Sequence, residues 1–214
     1  MRVIALDLDG TLVDCRERQS LLAAALCRAA GFELNIENFW ITKRDGASTA
    51  LALFSQGADK SLAERLSRLW VDQIEEDAWL RIDRVFAGTR RVLGEVRELG
   101  FRLHMVTART RVQALHRQLC WLSLEALFDH VEVVSPRAAA QHKARYLCSV
   151  RPVAYIGDSE SDAEAAKLAQ IRFVAVSSGQ RSAAYLQTHI NLSSNIIKSN
   201  LTEAIAESLN AENR

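Results

Sequence analysis

Short apolar runs rich in β-branched residues recur along the sequence and predict five β-strands. They cover residues 3–8, 101–106, 131–134, 153–156 and 173–176. The runs lack clean alternation of apolar and polar positions, as expected of strands that are covered on both faces. Helical patterns over 88–99, 110–122, 137–148 and 159–169 lie between the later strands. Strands that alternate with helices favour βαβ units and a parallel sheet.

The region 15–82 interrupts this alternation, because it contains no convincing strand pattern. Residues 17–30 predict a helix that ends at Gly31, and residues 61–80 predict a long amphipathic helix with Ser61 and Glu64 as its capping box. We therefore expect a three-layer, Rossmann-like α/β core made of residues 1–14 and 83–214. Residues 15–82 would form an all-helical cap inserted after the first strand, where it can cover the active edge of the sheet.

The composition narrows the class of protein. The 214 residues are 49% hydrophobic and 25% charged, with a net charge of +1, which is typical of a globular chain. No basic stripe interleaved with aromatic residues is present, so nucleic acid is not expected as an obligate partner. The four cysteines form no C-x-x-C pair, which favours reduced thiols over a zinc site.

The apolar runs are too short for a membrane span or a signal peptide. Only four apolar residues precede Asp7, and no later run approaches the length that crosses a bilayer. We expect a cytoplasmic protein with no membrane partner.

The stretch VIALDLDGTLVD carries Asp7 and Asp9 at the end of the first predicted strand. Asp9-Gly10 is also a hairpin signal, in which case Leu12 and Val13 would start a returning strand. That interpretation does not explain Asp7, because aspartate is depleted in strands and a buried charge needs a partner or a metal. A calcium loop of the EF-hand type fits poorly, since its sixth position should be glycine and is Leu12 here.

Polar residues follow the later strands at the sheet edge where ligands bind in open parallel sheets. They are Thr107, then Lys143 in the next helical stretch, then Asp158 and Asp162. Taken singly, Thr107 or Asp158 could cap a helix, Lys143 could be solvated, and Asp162 could lie on an exposed helix face. Taken together, clustered carboxylates would repel one another unless a cation neutralised them, and oxygen ligands suit Mg²⁺. A lysine and a threonine hydroxyl beside them suit a phosphoryl group.

This order of motifs resembles the haloacid dehalogenase superfamily. Residues 7–12 match its first motif, D-x-D-G-T-L, while Thr107, Lys143 and the Gly157-Asp158-x-x-x-Asp162 segment match the second, third and fourth. The resemblance covers residues 1 to about 180. Two departures bear on the subfamily: Ala144 follows Lys143 where many members have proline, and Ala108-Arg109 follows Thr107 where Asn or Ser is more usual.

The resemblance implies a nucleophile at Asp7, which would form an aspartyl-phosphate, and an acid and base at Asp9. Mg²⁺ would be held by Asp7, the backbone carbonyl of Asp9, Asp158 and Asp162, and the catalytic Thr107 and Lys143 would hold the phosphoryl oxygens. Members that cleave carbon–halogen bonds typically lack an aspartate at the position of Asp9. Its presence here favours phosphatase or phosphomutase chemistry.

The resemblance also implies that the cap selects the substrate. Predicted substrate-binding positions are Gly10, Thr11, Ala108, Arg109, Lys43 and Arg44. A solvated basic loop is an equally good interpretation of Lys43 and Arg44. His104 and His116 are expected to be structural or surface groups.

The expected function is a Mg²⁺-dependent phosphatase for a small phosphorylated metabolite, of the phosphoglycolate phosphatase-like type, working as a monomer or homodimer. A nucleotidase or a sugar phosphomutase of the same superfamily is the alternative. A phosphoryl-accepting switch fits less well, because receiver domains carry the acceptor aspartate on a central strand and are about half this length. A non-catalytic binding protein finds no support, since every key residue is present.

Overall fold

A computed structural model describes residues 2–210 of the chain. Its large sheet has six parallel strands in the order β5-β4-β1-β6-β7-β8, and β2 and β3 form a separate antiparallel pair. The eight strands are β1 (Val3–Leu6), β2 (Val13–Asp14), β3 (Arg84–Val85), β4 (Arg102–Ala108), β5 (His130–Val134), β6 (Ala154–Gly157), β7 (Phe173–Val176) and β8 (Ile197–Lys198).

Eleven α-helices are found within the described residues. Those that precede β3 are α1 (Arg16–Ala29), α2 (Ile36–Arg44), α3 (Thr49–Phe54), α4 (Lys60–Gln73) and α5 (Asp77–Leu80). Those that follow it are α6 (Thr89–Glu98), α7 (Val112–Trp121), α8 (Ala139–Val150), α9 (Glu160–Ala169), α10 (Ala183–His189) and α11 (Leu201–Asn210).

The central sheet is covered on both faces, which confirms the three-layer α/β prediction. Successive side chains of a strand point to opposite faces, and in β1 all four residues are buried. Ile4 and Leu6 pack in a core with α6, α7 and α11, whereas Ala5 packs in a second core with α8 and α9. Because β1 lies between β4 and β6, the residues after it reach the middle of the sheet edge.

The helical segment between β2 and β3 has an apolar core of its own. Cys27, Phe39, Leu53 and Leu66 from α1–α4 are buried there. A helical insertion at this point is therefore present as predicted. The assignment of 15–82 as one domain and of 1–14 with 83–214 as another remains a prediction.

The prediction of one helix over 61–80 was wrong. Asp59, and not Ser61, is the N-cap, because its carboxylate accepts the N–H of Leu62 at 2.8 Å. The helix ends at Gln73, and α5 begins separately at Asp77. In the break between them, the Glu75 carboxylate accepts the backbone N–H groups that precede α7.

The hairpin interpretation of Asp9-Gly10 was also wrong in its returning strand. A turn does follow Asp7, since Leu8 O accepts the N–H of Leu12 at 2.9 Å and Gly10 has a φ of 78°. The next strand, however, is β2, which pairs with β3 and not with β1. Both sides of β1 are already occupied by parallel neighbours.

Candidate active site

The carboxyl ends of β1 and β6 bring three buried aspartates together. Asp7 follows β1, Asp158 follows β6, and Asp162 lies in the first turn of α9. One carboxylate oxygen from each lies within 4.8 Å of the others. We call Asp7, Asp158 and Asp162 the acidic cluster.

Lys143 reaches the acidic cluster from α8. Its Nζ donates to Asp7 Oδ1 at 2.8 Å and to Asp162 Oδ1 at 2.6 Å, and the residue is only 2% exposed. Asp162 also accepts hydrogen bonds from Tyr155 Oη and Ser159 Oγ, both at 2.6 Å. Lys143 is therefore not a solvated residue and Asp162 does not face solvent, so those alternatives were wrong.

Ser159 is the residue that caps α9, in a capping box with Asp162. Asp158 therefore does not cap α9, although the sequence also allowed that role. Its Oδ2 instead accepts the N–H of Gln180 at 2.5 Å. Two glycines frame this carboxylate: a Cβ on Gly10 would lie 1.8 Å from Asp158 Oδ2, and one on Gly179 would lie 2.0 Å from it. Only glycine lets both loops approach so closely.

The acidic cluster carries more negative charge than its surroundings balance. Burial raises the pKa of Asp7 to about 7, although Lys143 opposes the shift. Burial and the neighbouring charges of Asp7 and Asp162 raise the pKa of Asp158 well above its usual range. For Asp162 burial also raises the pKa, but Lys143 outweighs it and the net pKa is lowered. Such an excess of buried charge with oxygen donors fits a hard divalent cation such as Mg²⁺.

Asp9 lies in a different environment, between two arginines. Its Oδ1 accepts Arg109 Nη2 at 2.7 Å and Arg18 Nη2 at 2.8 Å. Burial alone would raise the pKa of Asp9, but Arg109 and Arg18 more than offset it and hold the pKa below its ordinary value. Arg109 was a predicted substrate-binding residue, whereas Arg18 was missed.

Three further predicted residues lie at this sheet edge. Thr107 is buried within β4 and caps no helix, because α7 begins five residues later at Val112 with Arg111 as its N-cap. Ala108 ends the same strand. Thr11 is fully buried, and its Oγ1 finds no hydrogen-bond partner among residues 2–210.

The two predicted cap residues differ in their surroundings. Lys43 is buried, donates from Nζ to Thr49 Oγ1 at 3.0 Å, and lies 4.9 Å from the centre of the Trp70 ring. Burial, helped by the charge of Arg181, lowers the pKa of Lys43 to about 8. Lys43 is therefore no part of a solvated loop.

Arg44 joins the helical segment to the core. Its guanidinium donates to the backbone oxygens of Ser177 and, at 3.3 Å, Arg181. In return Arg181 Nη1 donates to Lys43 O at 2.7 Å, and Ser182 N donates to Arg44 O at 3.1 Å. These contacts hold the end of α2 against the loop after β7.

The histidines follow the sequence prediction. His104 Nδ1 and the Tyr146 hydroxyl are 2.8 Å apart, and exposed His116 faces Glu125 at 3.8 Å. In addition, none of the helices described here is both long and apolar enough to span a bilayer.

Fold and site together define a class of protein, the haloacid dehalogenase-like hydrolases. The model of that family matches residues 1–170, and the chain belongs to it.

Solved structures share the fold. The chain is similar to a haloacid dehalogenase-like family hydrolase from Streptococcus pneumoniae, with 19% identity and a TM-score of 0.73 over 96% of this chain and 97% of that one. A predicted phosphatase from Clostridium acetobutylicum gives 18% identity and a TM-score of 0.72 over 98% of both chains. A predicted phosphoglycolate phosphatase from Haemophilus somnus gives 17% identity and a TM-score of 0.67 over 96% of this chain and 97% of that one. No curated protein gives a significant match.

Proposed function

We propose that the protein is a Mg²⁺-dependent phosphatase that hydrolyses a small phosphorylated metabolite through an aspartyl-phosphate on Asp7. The observation that carries this proposal is the acidic cluster with Lys143 bonded to Asp7 at 2.8 Å. Three buried carboxylates beside a single ammonium suit a site that takes up both a cation and a phosphoryl group.

The first step forms the intermediate. An Asp7 carboxylate oxygen attacks phosphorus, the bond from phosphorus to the ester oxygen breaks, and Asp9 gives its proton to the leaving oxygen. Lys143 and Thr107 hold the phosphoryl oxygens, and Gly10, Thr11 and Ala108 are the further residues that we assign to the binding of this group. Asp9 has to be protonated for this step, and an ester that binds Arg109 would take away one of the two guanidinium groups that hold the pKa of Asp9 low.

The second step releases phosphate. Asp9, now a carboxylate, takes a proton from water, the water oxygen attacks phosphorus, and the bond to Asp7 breaks. Asp7, the backbone carbonyl of Asp9, Asp158 and Asp162 would hold Mg²⁺. When bound, the ion supplies charge that shields the Asp7 carboxylate from the anionic phosphoryl group.

The substrate class is a small phosphate ester of the kind handled by phosphoglycolate phosphatases. The fold similarity to the Haemophilus somnus protein supports this choice. Lys43 and Arg44 are proposed to select the part of the substrate that does not react. Lys43 fits that role because it is a buried cation at the end of α2, where Arg181 of the loop after β7 donates to its backbone oxygen.

A phosphate-release assay tests the proposal. We would measure free phosphate from phosphoglycolate, nucleoside monophosphates and sugar phosphates, with and without Mg²⁺, using wild type and Asp7→Asn. We expect Mg²⁺-dependent turnover in wild type and a loss on the order of 10⁶-fold in the variant, as found when a nucleophile is removed.

Asp77→Asn is the matched control, because Asp77 is a surface residue paired with Arg117. It should retain wild-type activity. Equal rates for wild type and Asp7→Asn would refute the nucleophile, and phosphoryl transfer between sugars without free phosphate would favour a mutase.

A further inference from the structure

Five side chains form a closed hydrogen-bonded ring around the predicted acid and base. We call Asp9, Arg18, Asp83, Gln118 and Arg109 the Asp9 ring. It connects the loop after β1, the first turn of α1, the residue before β3, α7 and the loop after β4. None of the sequence motifs pointed to Arg18, Asp83 or Gln118.

Each link of the ring has the length of a direct hydrogen bond. Arg18 donates from Nη2 to Asp9 Oδ1 at 2.8 Å and from Nε to Asp83 Oδ1 at 2.9 Å. Gln118 Nε2 donates to Asp83 Oδ2 at 2.6 Å. Arg109 Nη2 closes the ring, since it lies 3.3 Å from Gln118 Oε1 and 2.7 Å from Asp9 Oδ1.

The ring is buried and balanced in charge. Arg18, Asp83, Gln118 and Arg109 are each at most 5% exposed. Two guanidinium groups face two carboxylates, so no charge is left without a partner. A ring of this kind fixes the orientation of Asp9 more firmly than a single salt bridge, because each donor is itself held by another member.

The ring lies where the chain crosses between core and cap. Arg18 is in the first helical turn after the chain leaves β2, and Asp83 immediately precedes β3, where the chain returns. Arg18 Nη1 also donates to Ile74 O at 3.1 Å, at the end of α4. Arg18 thus binds Asp9 and is itself held near both places where the chain passes between core and cap.

We propose that Arg18 and Asp83 are positioning residues that fix the Asp9 carboxylate for proton transfer to the leaving group. This inference rests on the proposed function, which makes Asp9 the acid and base. Arg18 is suited to the task because its planar fork binds two carboxylates at once. Asp83 acts through Arg18 and has no role of its own in the chemistry.

A leaving-group comparison separates this role from general support of the fold. Phenyl phosphate and 4-nitrophenyl phosphate have nearly the same shape, but only the 4-nitrophenolate leaves readily without a proton. The ratio kcat/KM reports the steps up to the phosphorylation of Asp7, so the later hydrolysis of the intermediate does not affect it. Misplacing Asp9 must therefore slow phenyl phosphate more than 4-nitrophenyl phosphate.

The variants are Arg18→Lys and Asp83→Asn. Lysine keeps the charge but cannot bridge both carboxylates, and asparagine keeps the shape but removes the charge. For each we expect kcat/KM to fall about 100-fold on phenyl phosphate, the lower end of what general acid catalysis contributes, and about threefold or less on 4-nitrophenyl phosphate. Arg172→Met is the control, because Arg172 pairs with Glu207 elsewhere in the core; it should leave the ratio of the two substrates unchanged.

Equal losses on both substrates, or no loss on either, would overturn the positioning role while leaving the Asp7 nucleophile intact. A crystal structure of Arg18→Lys gives a second answer that does not depend on turnover. In this variant we expect the Asp9 carboxylate to be displaced from the position that it has in wild type. A carboxylate in the same position would refute the inference. A wild-type enzyme that releases phosphate from no ester would refute the proposed function instead.

Discussion

The acidic cluster and the Asp9 ring are neighbours at the same sheet edge but solve opposite electrostatic problems. The acidic cluster places three carboxylates around a single ammonium, that of Lys143. The Asp9 ring matches two carboxylates with two guanidinium groups. The first arrangement holds more carboxylates than cations, whereas in the second the two are equal in number.

This difference predicts that the acidic cluster, and not the Asp9 ring, changes in stability when a cation is added. Burial raises the pKa values of Asp7 and Asp158, so keeping both carboxylates ionised in the folded protein costs free energy. In the ring, the arginines hold the pKa of Asp9 below its ordinary value, although burial raises the pKa of Asp83 to about 6 against the opposing charge of Arg18. We therefore expect charge removal to have opposite effects on stability in the two places.

The largest expected effect on stability is in the ring. Arg18→Met leaves the Asp83 carboxylate buried without its main partner, and breaking a buried pair in this way costs about 3–5 kcal/mol. The double variant Arg18→Met/Asp83→Leu removes both charges and should lose clearly less than the sum of the two single variants. Urea unfolding of all four proteins measures the difference. Additive losses would show that Arg18 and Asp83 do not depend on each other.

The acidic cluster should respond in the other direction. Asp158→Asn removes a carboxyl whose pKa is raised by burial and by Asp7 and Asp162, so the metal-free variant should unfold at a higher temperature than metal-free wild type. The apparent Mg²⁺ affinity should fall at least about 100-fold, the upper range for loss of a supporting contact to a metal ligand. Thermal unfolding across a Mg²⁺ titration measures both quantities.

The exposed pair partner Asp77 again offers a control for the cluster experiment. Asp77→Asn should keep the wild-type response to Mg²⁺. If Asp158→Asn were stabilised by Mg²⁺ as strongly as wild type, the ion would bind elsewhere.

Five of the six strands of the large sheet could be predicted because they are short apolar runs. The pairing of β2 with β3 and the edge strand β8 were missed, since two-residue strands carry no pattern of their own. Helix 61–80 was misjudged for a tertiary reason. The Glu75 carboxylate accepts the backbone N–H groups of Thr110 and Arg111. These residues are distant in the chain, so no local pattern in the sequence predicts the contact.

The site residues also differ in whether a pattern in the sequence could predict them. Asp7, Asp158 and Asp162 could be predicted to lie together because they stand at or just after strand ends, where parallel topology makes neighbours of distant residues, and Lys143 reaches them from α8. The ring was missed because Arg18 lies within the predicted helix 17–30, where an arginine carries no distinctive signal. One signal could have been used: Arg18 lies in the first turn of the helix that follows the DxD motif, close enough in the chain to reach Asp9.

The smallest expected effect concerns Lys43, a buried cation for which no carboxylate lies within ion-pair distance in the described part of the chain. Its pKa is lowered to about 8 by burial and by Arg181, so between pH 8 and 9 the unfolded chain binds more protons here than the folded protein. Stability from this group therefore rises with pH, by at most about 1.4 kcal/mol per unit. Lys43→Met should abolish that rise and stabilise the protein at pH 7, whereas the exposed-site control Lys60→Met should do neither. Chemical unfolding of the three proteins at pH 7, 8 and 9 measures it, and a wild-type slope retained in Lys43→Met would mean that Lys43 is charged at no cost.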